Sequence, residues 1–427
     1  MIGQLSTDWK HTANIYEVNV RQYTEEGTFK AFEKELPRLK DMGIKVLWFM
    51  PITPIAQEQK KGSMGSPYAA QDYTSVNPEF GTLQDFKDLV NTAHEQGFKV
   101  IIDWVANHTG WDHIWTKTHP EYYLHDVDGS FHKASGMDDI IELDYTNQEM
   151  RREMIEAMKF WVREADIDGF RCDLASWVEA DFWEQARPET EKIKPLFFIG
   201  EYDELENPEY GKTFDASYSW KWMHLTEDFY KNNLPLSDLI DLLKQYSNIQ
   251  YSSMRAWFTS NHDENSWNGT EYEKYGEMAK ALAVFSITWD GIPLIYSGQE
   301  LPLRTKRLEF FEKDPIPWNG IYEMAEFYKK LLTLKSNNPA LRGADNNVVT
   351  ILLQNTAPDK VFSYLRKNGD NEVLVILNMS REAELNFSLT DSYASGIFRS
   401  LFSDVVHDFT SQTAFTLQPF EYMVFEK

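Results

Sequence analysis

The 427-residue sequence holds a single cysteine, Cys172. One thiol allows no internal disulfide and no multi-cysteine zinc site. No run of about 18 apolar residues occurs, so no membrane-spanning helix is expected. Positive charge is scarce: 42 Lys and Arg stand against 67 Asp and Glu, a formal balance of −25. Such a surface repels nucleic-acid backbones and anionic membranes, which argues against both as partners. Its ordinary meaning is solubility. The opening residues, MIGQLSTDWK, lack the basic start and apolar run of a secretory leader. The expected location is cytoplasmic. A leader removed beforehand would instead imply the periplasm or the cell exterior.

What is present describes a globular chain with a large core. Aromatic residues make up 15% of the sequence, enough to exclude disorder throughout. The length suits one barrel of about 250 residues with accessory modules, or two to three ordinary domains.

Short apolar runs alternate with helical patterns. Strands are predicted at Ile15–Val20, Val46–Ile52, Lys99–Asp103, Asp168–Leu174, Leu196–Gly200, Ala256–Ser260 and Pro293–Tyr296, with a weaker one at Phe214–Tyr218. Helical spacing predicts Phe29–Met42, Leu83–Gln96 and Asn147–Glu164, the first two closed by Gly43 and Gly97. Strands that are apolar on both faces need cover on both faces. Eight such units in about 320 residues point to an α/β fold, a (β/α)8 TIM barrel. The rival, a doubly wound open sheet, would carry a G-x-G-x-x-G loop after a strand, and none is present.

Two segments depart from the alternation. An insertion after the third strand, residues 109–146, is rich in Trp, His, Tyr and Asp and should overhang the barrel's catalytic end. From about residue 346 the pattern becomes short strands separated by turns, with a hairpin-type turn at Asn368-Gly369-Asp370. The expected organisation is a barrel from 1–108 and 147–338, the insertion 109–146, and an all-β sandwich at 339–427.

Active sites of this fold lie at the carboxyl ends of the strands. Those ends carry Asp103, Asn107 and His108 in DWVANH, Arg171 and Asp173 in GFRCDLA, Glu201 in FFIGEYD, and His262 and Asp263 in FTSNHDEN. Arg171 and Asp173 are two apart on a strand and so share one face, with Cys172 on the other as a buried filler. The neighbouring arginine is expected to lower the pKa of Asp173 and keep it ionised. Burial beside LFFIG is expected to raise that of Glu201 and keep it protonated. An ionised and a protonated carboxyl form the nucleophile and acid pair of retaining glycosidases.

These four segments resemble the signature regions of the α-amylase family, glycoside hydrolase family 13, in the family's order. The resemblance covers roughly residues 10–427 and is closest to intracellular-type bacterial members. It implies Asp173 as nucleophile, Glu201 as general acid/base and Asp263 as transition-state stabiliser. It implies substrate contacts from Tyr68, His108, Arg171 and His262, with Tyr68 stacking on a sugar ring. The implied activity is retaining hydrolysis of α-1,4 bonds in starch, glycogen or maltooligosaccharides. Glycosyl transfer and α-1,6 or exo action are alternatives, and a non-catalytic binding relative is the contrasting class. That class lacks one or more of the three acids, all present here. The chemistry requires no cofactor. Structural calcium is implied by Asn107, with Asp144 as a second ligand.

Two positions depart from the family pattern. Ser176 and Trp177 replace a Lys-His pair on the product side. Tyr68 is followed by Ala69 where exo-acting α-glucosidases carry an aspartate, which favours an open, endo-acting groove. Trp104, Trp111, Trp115 and Trp177 are candidate subsite walls or packing residues. A monomer is expected, since no added domain precedes the barrel.

Overall fold

The computed structural model describes residues 7–134, 136–249 and 253–427. The amino-terminal stretch read for a leader falls partly outside them.

Eight parallel strands close into a barrel: Ile15–Val18, Val46–Phe49, Lys99–Trp104, Gly169–Cys172, Phe197–Asp203, Ala216–Tyr218, Met254–Trp257 and Ile292–Tyr296. They are the first to eighth strands below. Each pairs with its sequence neighbours, and the eighth pairs with the first. Their side chains alternate between two cores. Ile15, Val46, Trp48, Ile101, Phe197, Ile199 and Leu294 fill the barrel. Tyr16, Leu47, Phe49, Val100, Phe170, Cys172 and Phe198 face the surrounding helices. This two-sided burial is why the strands read as continuous apolar runs.

Local signals set the helices. Thr82 and Asp85 form a reciprocal capping box that starts Leu83–Glu95. Asn147 caps Gln148–Ala165, whose Met150, Met154, Met158 and Trp161 form a buried stripe. The helix predicted over Phe29–Met42 is instead two pieces, Phe29–Glu33 and Leu36–Met42. Pro37 is the reason: it lacks an N–H and fits only the first turn of a helix, so a new helix begins there.

The insertion is anchored by an antiparallel pair, His108–Gly110 with Ile140–Glu142. Gly110 packs so tightly on the loop after the second strand that a Cβ there would lie 2.0 Å from that of Ala56.

After the barrel, a six-stranded sheet, antiparallel in its pairings, and a two-stranded partner enclose a separate core containing Leu365, Leu374, Phe387, Phe398, Phe415 and Phe425. The sheet's other face lies on helix Met278–Thr288, through Phe285 against Phe362 at 6.1 Å. Every residue of that helix except Lys280 is buried.

Candidate active site

Arg171 organises the carboxyl end of the barrel. Its side chain is fully buried, and its guanidinium lies 4.8 Å from the centre of the Trp48 ring. One terminal nitrogen donates to Asp103 at 2.9 Å and to Asp173 at 2.7 Å. The other donates to Glu201 at 2.9 Å, and Nε donates to the Tyr218 hydroxyl at 3.1 Å. A planar five-donor fork suits this task, which an ammonium could not perform.

Asp103 is a scaffold in this arrangement. It accepts from Trp48 Nε1 at 3.0 Å and from the Tyr68 hydroxyl at 2.9 Å, besides Arg171. Tyr68 is thereby held with its ring stacked on His262, centroids 5.1 Å apart and planes 14° apart. Leu174, immediately after Asp173, adopts a left-handed backbone (φ 41°), and its N–H donates to Glu201 at 2.9 Å. A non-glycine residue in that region is strained, and such strain concentrates at functional sites.

Electrostatics separate the roles. Burial raises the Asp173 carboxyl to about 6, with Arg171 opposing and Asp103 adding to the rise. The expectation of a lowered value is therefore corrected. Desolvation, with a second acid sharing the same arginine, outweighs the ion pair. Glu201 is raised as expected, to about 7, by burial, against Arg171 and with Asp173 and Asp263.

The two histidines differ in charge. Burial holds His108 down to about 4, so it is neutral. The Asn107 amide nitrogen lies 3.1 Å from His108 Nδ1. A donating amide makes Nδ1 the acceptor and puts the proton on Nε2. That Nε2 is buried without a protein partner, on a residue that lines the cleft. His262 behaves otherwise: burial lowers it, but Asp263 and Glu17 together raise it to about 9. Its Nδ1 meets the buried Glu17, and its Nε2 lies 3.3 Å from Asp263.

Asp173, Glu201, Asp263, Tyr68, His108 and His262 all line one cleft of about 350 Å³, with Arg171 directly beneath the first two. Of the candidate tryptophans only Trp177 lines it, half-exposed, while Trp104 is buried and Trp111 and Trp115 pack on the core. Sequence reasoning missed Lys61, Asp139, Trp267, Phe310 and Phe311, which also line the cleft. Trp267, four residues past Asp263, and the Phe310-Phe311 doublet after the eighth strand were the available signals.

The two residues read as calcium ligands make protein contacts of their own. Asn107 is turned to His108, and Asp144 Oδ1 accepts from the Thr146 N–H and hydroxyl. Among the described residues no group of three or more His, Cys, Asp and Glu could hold a metal ion.

Residues 11–124 and 115–347 match the family described as "Alpha amylase, catalytic domain". The chain belongs to the α-amylase family. It is a glycoside hydrolase. A maltogenic α-amylase from Thermotoga neapolitana, described as noncanonic, superposes with a TM-score of 0.85 at 30% identity, covering 98% of this chain and 97% of that one. An α-amylase from Lactobacillus plantarum gives 0.86 at 28% identity, covering 99% and 100%. "Alpha-amylase 2" of Dictyoglomus thermophilum is 24% identical over 451 residues, spanning 93% of this chain and 74% of its own length.

Proposed function

We propose that the enzyme hydrolyses α-1,4-glucosidic bonds in starch, glycogen or maltooligosaccharides with retention, by double displacement. The observation that carries this reading is the shared guanidinium, whose two terminal nitrogens hold Asp173 and Glu201. Carboxyls clasped by one such group sit close together. This supports the narrow retaining spacing of about 5–5.5 Å over the inverting spacing of about 6.5–9.5 Å.

In the first step Glu201 gives its proton to the glycosidic oxygen. The C1–O bond breaks, and the Asp173 carboxylate bonds to C1. In the second step the ionised Glu201 takes a proton from water, the water oxygen attacks C1, and Asp173 leaves as carboxylate. Asp263 and protonated His262 face the sugar as a coupled anion and cation, suited to its hydroxyls. His108 Nε2 donates to a hydroxyl oxygen. The Tyr68 ring offers its face to the sugar's CH groups.

Asp173→Asn and Glu201→Gln should each lower activity on soluble starch by on the order of 10³-fold or more. Full activity in either variant removes the reading. Trp177, half-exposed in the cleft, favours a second outcome from the same covalent intermediate: an acceptor sugar stacked there would intercept it instead of water. Chains longer than the donor, formed from concentrated maltotriose, would mark such transfer.

A further inference from the structure

An acid that protonates the glycosidic oxygen stands on the leaving-group side of the sugar. Glu201 lies near the carboxyl end of the fifth strand and is held by the N–H of Leu174, three residues before Trp177. The leaving group therefore extends over the loops after the fourth and fifth strands. The glycone, which leads to the non-reducing end, extends the other way. Across the closed ring from those strands lie the eighth and the first, flanked by the second.

That side is walled. Lys61, in the loop after the second strand, reaches Asp139 of the insertion at 3.1 Å, and both line the cleft. Asp139 is buried, whereas Lys61 keeps part of its side chain exposed. The loop carrying Lys61 is bolted to the loop after the eighth strand. Met64 N–H donates to the Phe311 carbonyl at 3.0 Å, and Ser63 N–H donates to Glu312 at 2.8 Å. Gly62 (φ 65°) lets the two loops touch: a Cβ there would lie 2.5 Å from that of Phe311. Arg21 pins the far end of the loop through the Gly65 carbonyl at 2.9 Å. Three loops thus meet at one end of a cleft whose volume, about 350 Å³, is near the lower limit of the ~300–1,000 Å³ typical of ligand clefts.

We propose that the Lys61–Asp139 pair is an end stop that binds the hydroxyls of the non-reducing terminal glucose of an α-glucan, so that the enzyme removes short units from that end. The ammonium donates to sugar oxygens and the carboxylate accepts from sugar hydroxyls. The pair therefore matches the polar rim of a terminal ring better than the continuing chain of an internal one. Ala69 leaves no carboxylate directly after Tyr68, but Asp139 brings one into the cleft from the insertion. This inference rests on the glycan-hydrolase reading above and adds the direction and mode of attack.

The test compares p-nitrophenyl maltoheptaoside, free or blocked by a 4,6-O-ethylidene group on its non-reducing glucose, with products separated by chromatography. The wild-type enzyme should cleave the free substrate at least about tenfold faster than the blocked one. Lys61→Met and Asp139→Asn should narrow that ratio and lengthen the smallest product released from amylose. Equal wild-type rates on the two substrates overturn the end stop, and this comparison needs no variant to fold. Variants that keep the wild-type ratio and products overturn the assignment to this pair. Cleavage of neither substrate removes the glycosidase reading itself, and the end stop with it.

Discussion

Glu17 Oε1 lies 2.5 Å from Nδ1 of His262, joining the first strand to the loop after the seventh beneath the cleft. Both side chains are buried. The contact makes a histidine that burial would neutralise into a cation facing Asp263. Glu17→Gln removes one of its two anions. The titration midpoint of His262 should fall from about 9 toward the ordinary imidazole value, and kcat/KM should decline at lower pH than in the wild type. Because the native value is raised, the stability it contributes is full below the unfolded imidazole value and disappears as pH climbs through about 9. NMR of isotope-labelled histidine reads the midpoint directly, and an unmoved His262 signal would refute the coupling.

Arg171→Lys should be far from conservative. One ammonium cannot serve Asp103, Asp173, Glu201 and Tyr218 together. Leaving buried charges without partners costs on the order of 3–5 kcal/mol. The expected result is a large drop in Tm together with a loss of kcat of about 10²-fold or more. A variant of native Tm and native kcat would show the guanidinium to be dispensable.

The pH profile follows from the two raised carboxyls. Asp173 must be ionised to attack, so the rate should climb as pH rises through about 6. Glu201 must be protonated to assist departure, so the rate should fall as pH rises through about 7. The pair titrates as a unit, giving a narrow bell between these limbs. Initial rates on a maltooligosaccharide across the range check this, and a rate still increasing near about pH 9 contradicts it.

Chelation should have little effect. Asn107 Nδ2 faces His108 and Asp144 Oδ1 faces Thr146, and among the described residues no group of three or more His, Cys, Asp and Glu could hold a metal ion. Dialysis against EDTA should leave both Tm and specific activity unchanged. A fall in either that added calcium restores would place an ion at the base of the insertion.

Much of this was legible in the sequence because it depends on local pattern. The strands announced themselves since two cores, inside and outside the barrel, require apolar residues at successive positions. The acids of the site stood out because each follows such a run. What escaped depends on contacts between distant segments. Lys61 meets Asp139 across 78 positions, and Glu17 meets His262 across 245. No local signal links either pair. The direction of the Asp173 shift escaped for a related reason. The neighbouring Arg171 is visible in sequence, but Asp103, 68 positions from that arginine, competes for the same guanidinium only once the third and fourth strands pair. The helix over 29–42 was misread through one residue, Pro37, whose helical spacing hid a restart.

The buried helix Met278–Thr288 bears on how the polypeptide can be cut. Its Phe285 meets Phe362 and Tyr364, its Thr288 hydroxyl lies 2.6 Å from that of Tyr364, and Trp289 packs on Tyr364 just beyond it. Elsewhere around the ring, amphipathic helices such as Gln148–Ala165 turn a polar side outward, but this one turns out only Lys280. Deleting the terminal sheet would bare a greasy flank beside the seventh and eighth strands. The last eighty or so residues act as cladding for the catalytic body, and a shortened version should be recovered as aggregate unless that flank is rebuilt with polar side chains.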